Sequence, residues 1–317
     1  MNDGIDPNLI RTVPLSRRPN KVSAQDFAQP PGERRDFAAF IDSLPHILEA
    51  RSFLAVVDAM VGAAQRDRAV VCMVGGHVVK TGLAPVLIDL AERGVITHFA
   101  SNGAAVIHDY EVARWGGTSE DVEAGLTDGT FGMAEETGRE LNEAIVRGAK
   151  DGRGLGESLA LALEEAESLT NPELSLLLSA RRLGIHFTVH ASIGAEIIHQ
   201  HPAADGAAIG QTSITDFRRL AGHLPRLEGG VVLNIGSAVI MPEVFLKALT
   251  ICRNVYAGAP RAFVAADFDM VKHYRPRVNV TERPTRTGGG RGYQITGHHE
   301  LMVPLLAWAV VERLEQA

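Results

Sequence analysis

The sequence predicts an α/β protein: a doubly wound, mostly parallel sheet of about six strands with helices on both faces, Rossmann-like in plan. Three observations predict it. Short apolar runs alternate with stretches whose apolar residues recur at helical spacing. Nearly every apolar run ends in glycine or a small polar residue. Aromatic residues make up only 5% of the 317, against 32 glycines, which suits glycine-turned α/β units better than an aromatic-rich sandwich.

Residues 1–35 contain Pro7, Pro14, Pro19, Pro30 and Pro31 with little periodicity, and read as an N-terminal arm. The arm is either a disordered tail or a strap lying on a neighbouring subunit. Residues 36–65 read as two helices broken near Pro45. The apolar runs 69–74, 95–100, 186–190, 231–235, 262–266 and 293–296 read as buried parallel strands. Helices are expected at 81–93, 103–115, 137–150, 155–169, 172–183, 194–200, 214–227, 242–253 and 300–315. Residues 118–136, 206–210 and 275–292 read as irregular. Residues 36–317 are thus expected to form a single domain with a helical insertion at about 118–184.

The net charge of −7 does not suit nucleic acid as a partner. Cys72 and Cys252 lie in apolar runs and read as small hydrophobes. The start of the chain has no apolar signal segment, and no run reaches membrane length, so the expected location is cytoplasmic, with no membrane partner.

In an open parallel sheet, ligands bind beyond the carboxyl ends of the strands. Here those ends read Gly75-Gly76-His77, Ser101-Asn102-Gly103, His190-Ala191-Ser192, Gly236-Ser237-Ala238, Asp267-Phe268-Asp269 and Gly297-His298-His299-Glu300. Glycine permits close backbone approach, and amides at a following helix start cradle phosphate. No segment is a clean G-x-G-x-x-G fingerprint. Asp267 could accept from ribose hydroxyls or cap a turn. His108, Asp109 and Glu111 line the helix after Asn102-Gly103, with His108 and Glu111 on one face. Together with His298, His299 and Glu300 they form a candidate acid/base set. A metal site on His199 and His201, or simple structural hydrogen bonding, would account for the histidines equally well. Arg275, Arg277, Arg283, Arg286 and Arg291 make the loop 275–292 either a solvated surface or an anion clamp.

Several stretches carry a family resemblance. Lys80-Thr-Gly-Leu-Ala-Pro, Asn171-Pro-Glu-Leu-Ser, Ser192-Ile-Gly-Ala-Glu-Ile-Ile, Gly229-Gly-Val-Val-Leu-Asn-Ile-Gly and Leu301-Met-Val-Pro-Leu-Leu occur in an order that resembles deoxyhypusine synthase across residues 70–315. Gly75-Gly-His-Val-Val-Lys-Thr-Gly, Asn102-Gly-Ala-Ala-Val-Ile-His-Asp-Tyr-Glu and Gly117-Thr-Ser are similar to the NAD-binding domain of the archaeal and cyanobacterial type of ornithine cyclodeaminase. Both families use NAD to oxidise an amine transiently.

The resemblance therefore implies NAD as cofactor, a small amine or amino-acid substrate, and a homo-oligomer, a tetramer in the relatives. It places Gly75, Gly76, Thr81, Gly82, Ser101, Asn102, Gly103, Gly236, Ser237, Asp267 and Gly297 near the dinucleotide, and Glu196 beside an amine-binding acid. The synthase's catalytic lysine has no counterpart in 287–299. The resemblance thus implies amine oxidation followed by deamination or transfer, not deoxyhypusine synthesis. The alternatives are a non-catalytic nucleotide-binding scaffold or a metal-dependent hydrolase.

Overall fold

The computed structural model describes residues 4–316; the first three residues of the expected arm and Ala317 lie outside the described residues. Chain contacts divide the protein into two compact units, Met1–Arg51 and Ser52–Ala317. In the first, three single-turn 3₁₀ segments precede α1 (Phe37–Asp42). Asp36 starts that helix by accepting from the Ala39 amide at 2.8 Å.

The remaining elements are α2 (Leu48–Gln65), β1 (Val70–Val74), α3 (Gly76–Lys80), α4 (Ala84–Glu92), β2 (His98–Asn102), α5 (Gly103–Trp115), α6 (Val122–Asp128), α7 (Glu135–Lys150), α8 (Leu155–Glu164), α9 (Leu176–Arg182), β3 (His186–His190), α10 (Gly206–His223), β4 (Val231–Ile235), α11 (Ile240–Val255), β5 (Val264–Asp269), β6 (Arg291–Thr296) and α12 (His299–Glu315). The six strands form one sheet in the order β3-β2-β1-β4-β5-β6, every pair parallel. This is the doubly wound fold that the sequence predicts. The strand order reverses between β1 and β4, so the crevice at that reversal opens at Gly75 and Gly236. β1 and β4 are buried at all ten positions, as continuous apolar runs in a covered parallel sheet must be. On one face Val71, Met73 and Val232 pack with Phe245 and Leu249 of α11.

The free edge of β3 is closed by side chains of α10. Asp216 accepts from the Val189 amide at 2.9 Å and from the Gly156 amide at 2.9 Å. Ser213 accepts from the Ala191 amide at 3.0 Å. Alternate outward amides of an edge strand are thereby satisfied. Burial pushes Asp216 up to about 7, with the two amides and Arg219 opposing.

Several local expectations are corrected. The stretch 118–136 contains α6, capped by Asp121 on the Ala124 amide. Residues 206–210 open α10 instead of forming a loop, because Asp205 caps two amides and Ala208 and Ile209 are buried. The helix expected at 81–93 starts only at Ala84, as α4, after a turn at Gly82 with φ +76°, and a separate short helix, α3, precedes that turn. The short helix expected at 194–200 is a 3₁₀ turn, Ile197–Gln200. The loop 275–292 holds a π-helical turn, Pro276–Glu282. Three of its five arginines are engaged within the protein: Arg275 lies 3.3 Å from Glu243, Arg277 2.6 Å from Glu282, and Arg283 donates to Asn279.

Candidate site at the carboxyl ends of the strands

The sheet reversal brings β1 and β4 into backbone contact beyond their last residues. A Cβ on Gly75 would stand 2.1 Å from the Gly236 carbonyl oxygen, so only glycine fits there. Gly236 in turn, at φ +67°, leaves room for the ring of His299, whose Cε1 would lie 3.0 Å from a Cβ. On the other side of the junction, a Cβ on Gly76 would meet Cδ2 of His108 at 3.3 Å. His108 and His299 therefore flank the glycine junction at the crevice.

His108 is half-buried, and its Nδ1 lies 2.7 Å from Thr118 Oγ1. Thr118 donates to Oε2 of Glu111, and Thr137 donates to Oε1 at 2.9 Å. Burial, reinforced by Lys80, pushes the His108 ring down to about 4. Sequence reading paired His108 with Glu111 by helical spacing; the two threonines between and beside them escaped it. The Gly117-Thr118-Ser119 stretch was a signal for Thr118, while nothing local marked Thr137, on a separate helix.

On the β4–β6 side, Asp267 is buried and accepts from Asn234 Nδ2 at 2.8 Å. Burial pushes its carboxyl up to about 7, against the Asn234 bond and with help from Asp269. His299 is buried and donates from Nε2 to the Phe268 carbonyl at 3.2 Å, so its Nδ1 is a bare acceptor, and that atom has no hydrogen-bond partner. Burial lowers its pKa, with Asp269 and the Phe268 carbonyl opposing. His77 stands edge-on to it, ring centroids 5.7 Å apart.

On the β2–β3 side the groups at the strand ends are mostly paired, although His199 Nε2 is buried without a hydrogen-bond partner. Asn102 caps α5 through the Ala105 amide at 3.3 Å. Glu196 Oε1 accepts from the Gly103 amide at 3.0 Å and from the Ser192 amide at 2.9 Å. A Cβ on Gly103 would fall 1.9 Å from Glu196 Oε2. The α5 N-terminus, a natural phosphate position, thus carries the protein's own carboxylate. Burial raises the Glu196 pKa, against the two amides.

Other predicted residues lie apart from the junction or serve the backbone. Asp109 is buried and accepts from Ser175 Oγ, Leu176 N and Leu177 N, at 2.7, 2.7 and 3.2 Å, which caps α9. Burial pushes it up to about 6, against those three bonds. Thr81 donates to the His77 carbonyl at 3.0 Å, and Ser237 Oγ accepts from the Met241 amide at 3.2 Å. Ser101 is buried and donates to the Asn102 carbonyl. A Cβ on Gly297 would stand 2.6 Å from Met302 Cγ, so the turn packs on its own helix. His298 and Glu300 are exposed, 3.7 Å apart. His199 and His201 are occupied separately: His199 Nδ1 accepts from Gly194 N, and His201 faces Glu135 at 3.3 Å. Among the described residues no group of three or more His, Cys, Asp or Glu is arranged to hold a metal ion. No described helix is long and apolar enough to cross a membrane.

Fold and site together define a doubly wound α/β protein whose crevice lies at the strand reversal. Comparison with solved structures places the fold more closely. A conserved protein described as LOR/SDH, from Methanococcus maripaludis S2, aligns at a TM-score of 0.50 and 14% identity, over 85% of this chain and 71% of its own. AgrE, in a ternary complex with ornithine and NAD+, aligns at 0.52 and 15% identity, over 87% of this chain and 35% of its own. A protein described as a deoxyhypusine synthase, from Entamoeba histolytica, aligns at 0.48 and 9% identity, over 88% of this chain and 94% of its own. The chain therefore shares the fold of the first two and spans about a third of AgrE's length. No protein-family model and no curated protein matches the sequence.

Proposed function

We propose that the protein is an NAD-dependent enzyme that oxidises a small amine or amino acid to an imine. The observation that carries this reading is the junction itself: glycine backbone at the strand reversal, with the neutral His108 ring on one side and Asp267 and His299 on the other. Its fold neighbour AgrE has been seen with NAD+ and ornithine, which suits the same chemistry. A dinucleotide bound here supplies the hydride acceptor. The chain's own task is then to hold the amine and take its proton. The substrate ammonium gives a proton to His108 Nε2; the free amine's lone pair forms the C=N bond as the C–H electron pair leaves as hydride. Deamination follows if water adds to the iminium.

The residues fit the cofactor on the β4–β6 side, where Asp267 and the bare His299 Nδ1 offer acceptors to ribose or amide hydrogens. On the β2–β3 side a diphosphate reaches the α5 amides only if Glu196 moves aside. That contact favours a second reading, a scaffold that binds a dinucleotide without turnover. We also infer a cytoplasmic homo-oligomer, to be checked by light scattering. Titration calorimetry with NAD+ and NADP+ tests the binding claim, and the absorbance of reduced nicotinamide with ornithine, spermidine and other amines tests turnover. Absence of binding to either dinucleotide would sink both readings; binding without any reduction would leave the scaffold.

A further inference from the structure

We propose that Thr118 and Glu111 are positioning residues that hold His108 in its Nδ1–H tautomer and leave Nε2 as a bare base beside the Gly76 turn. Their role rests on the amine-oxidation reading above. The argument starts from how the chain returns. α5 ends at Gly116, left-handed at φ 82°, and doubles back so that Thr118 lands against the helix it has just left. There Thr118 Oγ1 touches both His108 Nδ1 and Glu111 Oε2.

A hydroxyl has one proton to give. A carboxylate only accepts, so that proton goes to Glu111. Toward His108 the hydroxyl must then accept, and Nδ1 must carry the hydrogen. Thr137, from α7, occupies the other carboxylate oxygen at 2.9 Å and fixes the direction of the chain. A neutral imidazole with hydrogen on Nδ1 has a lone pair on Nε2. Nε2 is bonded to Cδ2, the atom that faces Gly76. The lone pair therefore lies one bond from the atom that meets the Gly76 turn.

The surroundings of the ring support a neutral resting state. Lys80 on α3 and burial both disfavour the imidazolium at rest. Nε2 takes a proton from the substrate ammonium while Thr118 and Glu111 hold the Nδ1–H side of the ring. One proton moves, from substrate nitrogen to Nε2, and no further co-reactant is needed. If Thr118 served only to bond Glu111 and left the His108 ring free to turn, no tautomer would be preferred.

Heteronuclear NMR of the ring nitrogens in the full-length protein separates the two. In the wild type His108 should show the Nδ1–H form at neutral pH. Thr118→Ser should keep it. Thr118→Val and Glu111→Gln should move the ring toward Nε2–H or a mixture. An Nε2–H wild type, or a Thr118→Val protein that keeps Nδ1–H, would overturn the proposal. These readings need no ligand, so a failure to bind NAD+ defeats the function above without touching this result. With a substrate in hand, Thr118→Val should lower kcat about tenfold or more with little change in KM, and Thr118→Ser should restore it. A Thr118→Val enzyme with unaltered kcat would also overturn it.

Discussion

The two sides of the strand-end crevice differ in how their polar groups are satisfied. Around β2 and β3, Glu196 holds the Gly103 and Ser192 amides and Asn102 holds the Ala105 amide, so a ligand must displace existing bonds to enter. Around β4, β5 and β6, Asn234 Oδ1 and His299 Nδ1 are buried without partners, and Asp267 is held near neutrality of charge. Unpaired buried acceptors are costly in a fold kept for stability alone. The difference teaches where a ligand meets resistance: it must break protein hydrogen bonds at the β2–β3 ends, whereas Asn234 Oδ1 and His299 Nδ1 at the β4–β6 ends are free to accept.

The largest expected effect comes from breaking the seam between the sides. Gly75→Val forces a side chain into the Gly236 carbonyl and should cost about 4 kcal/mol or more in a urea melt. A loss below about 1 kcal/mol would mean that the strands separate easily there. Next comes a contrast of single changes. Glu196→Ala leaves the Gly103 and Ser192 amides unpaired and should cost about 2 kcal/mol. Asp267→Asn keeps an oxygen for Asn234 and replaces a carboxyl that is protonated in the folded protein near pH 4, so a melt at that pH should shift by less than about 1 kcal/mol. Equal losses would erase the comparison.

The sides also predict opposite responses to acid. Burial pushes His190 down to about 3, from 6.5. Above pH 6.5 the ring is neutral folded and unfolded; below it only the unfolded chain takes a proton, so stability falls on acidification. Asp267 is raised to about 7 from 3.8, so between those values the folded protein binds the proton first and stability rises on acidification. Each contributes at most about 1.4 kcal/mol per pH unit. His190→Gln should therefore flatten the acid limb of a stability–pH curve, and Asp267→Asn should steepen it. Unchanged slopes in both variants would refute the assignment. The smallest expected signal is none: borohydride trapping with spermidine and NAD+ should leave no adduct on any lysine, and a butylamine-modified lysine peptide would restore a synthase reading.

The strands and their glycine ends were legible because a parallel sheet covered on both faces needs unbroken apolar runs, and 186–190 and 231–235 fall on their observed bounds. The pairings that give the site its character were not. Glu196 and Gly103 are 93 residues apart and meet only once β2 and β3 lie side by side. Asp109 read as chemistry because it follows His108, yet on a helix adjacent residues face apart, and its carboxylate turns to the start of α9. Gly206 and Gly210 read as a loop by propensity; burial of the helix face between them prevailed.

The closed flank of β3 bears on assembly. With Val189 and Ala191 already donating to Asp216 and Ser213, those two amides are not open to a second molecule along that flank. Cross-molecule ladder growth onto those two positions first requires α10 to peel away.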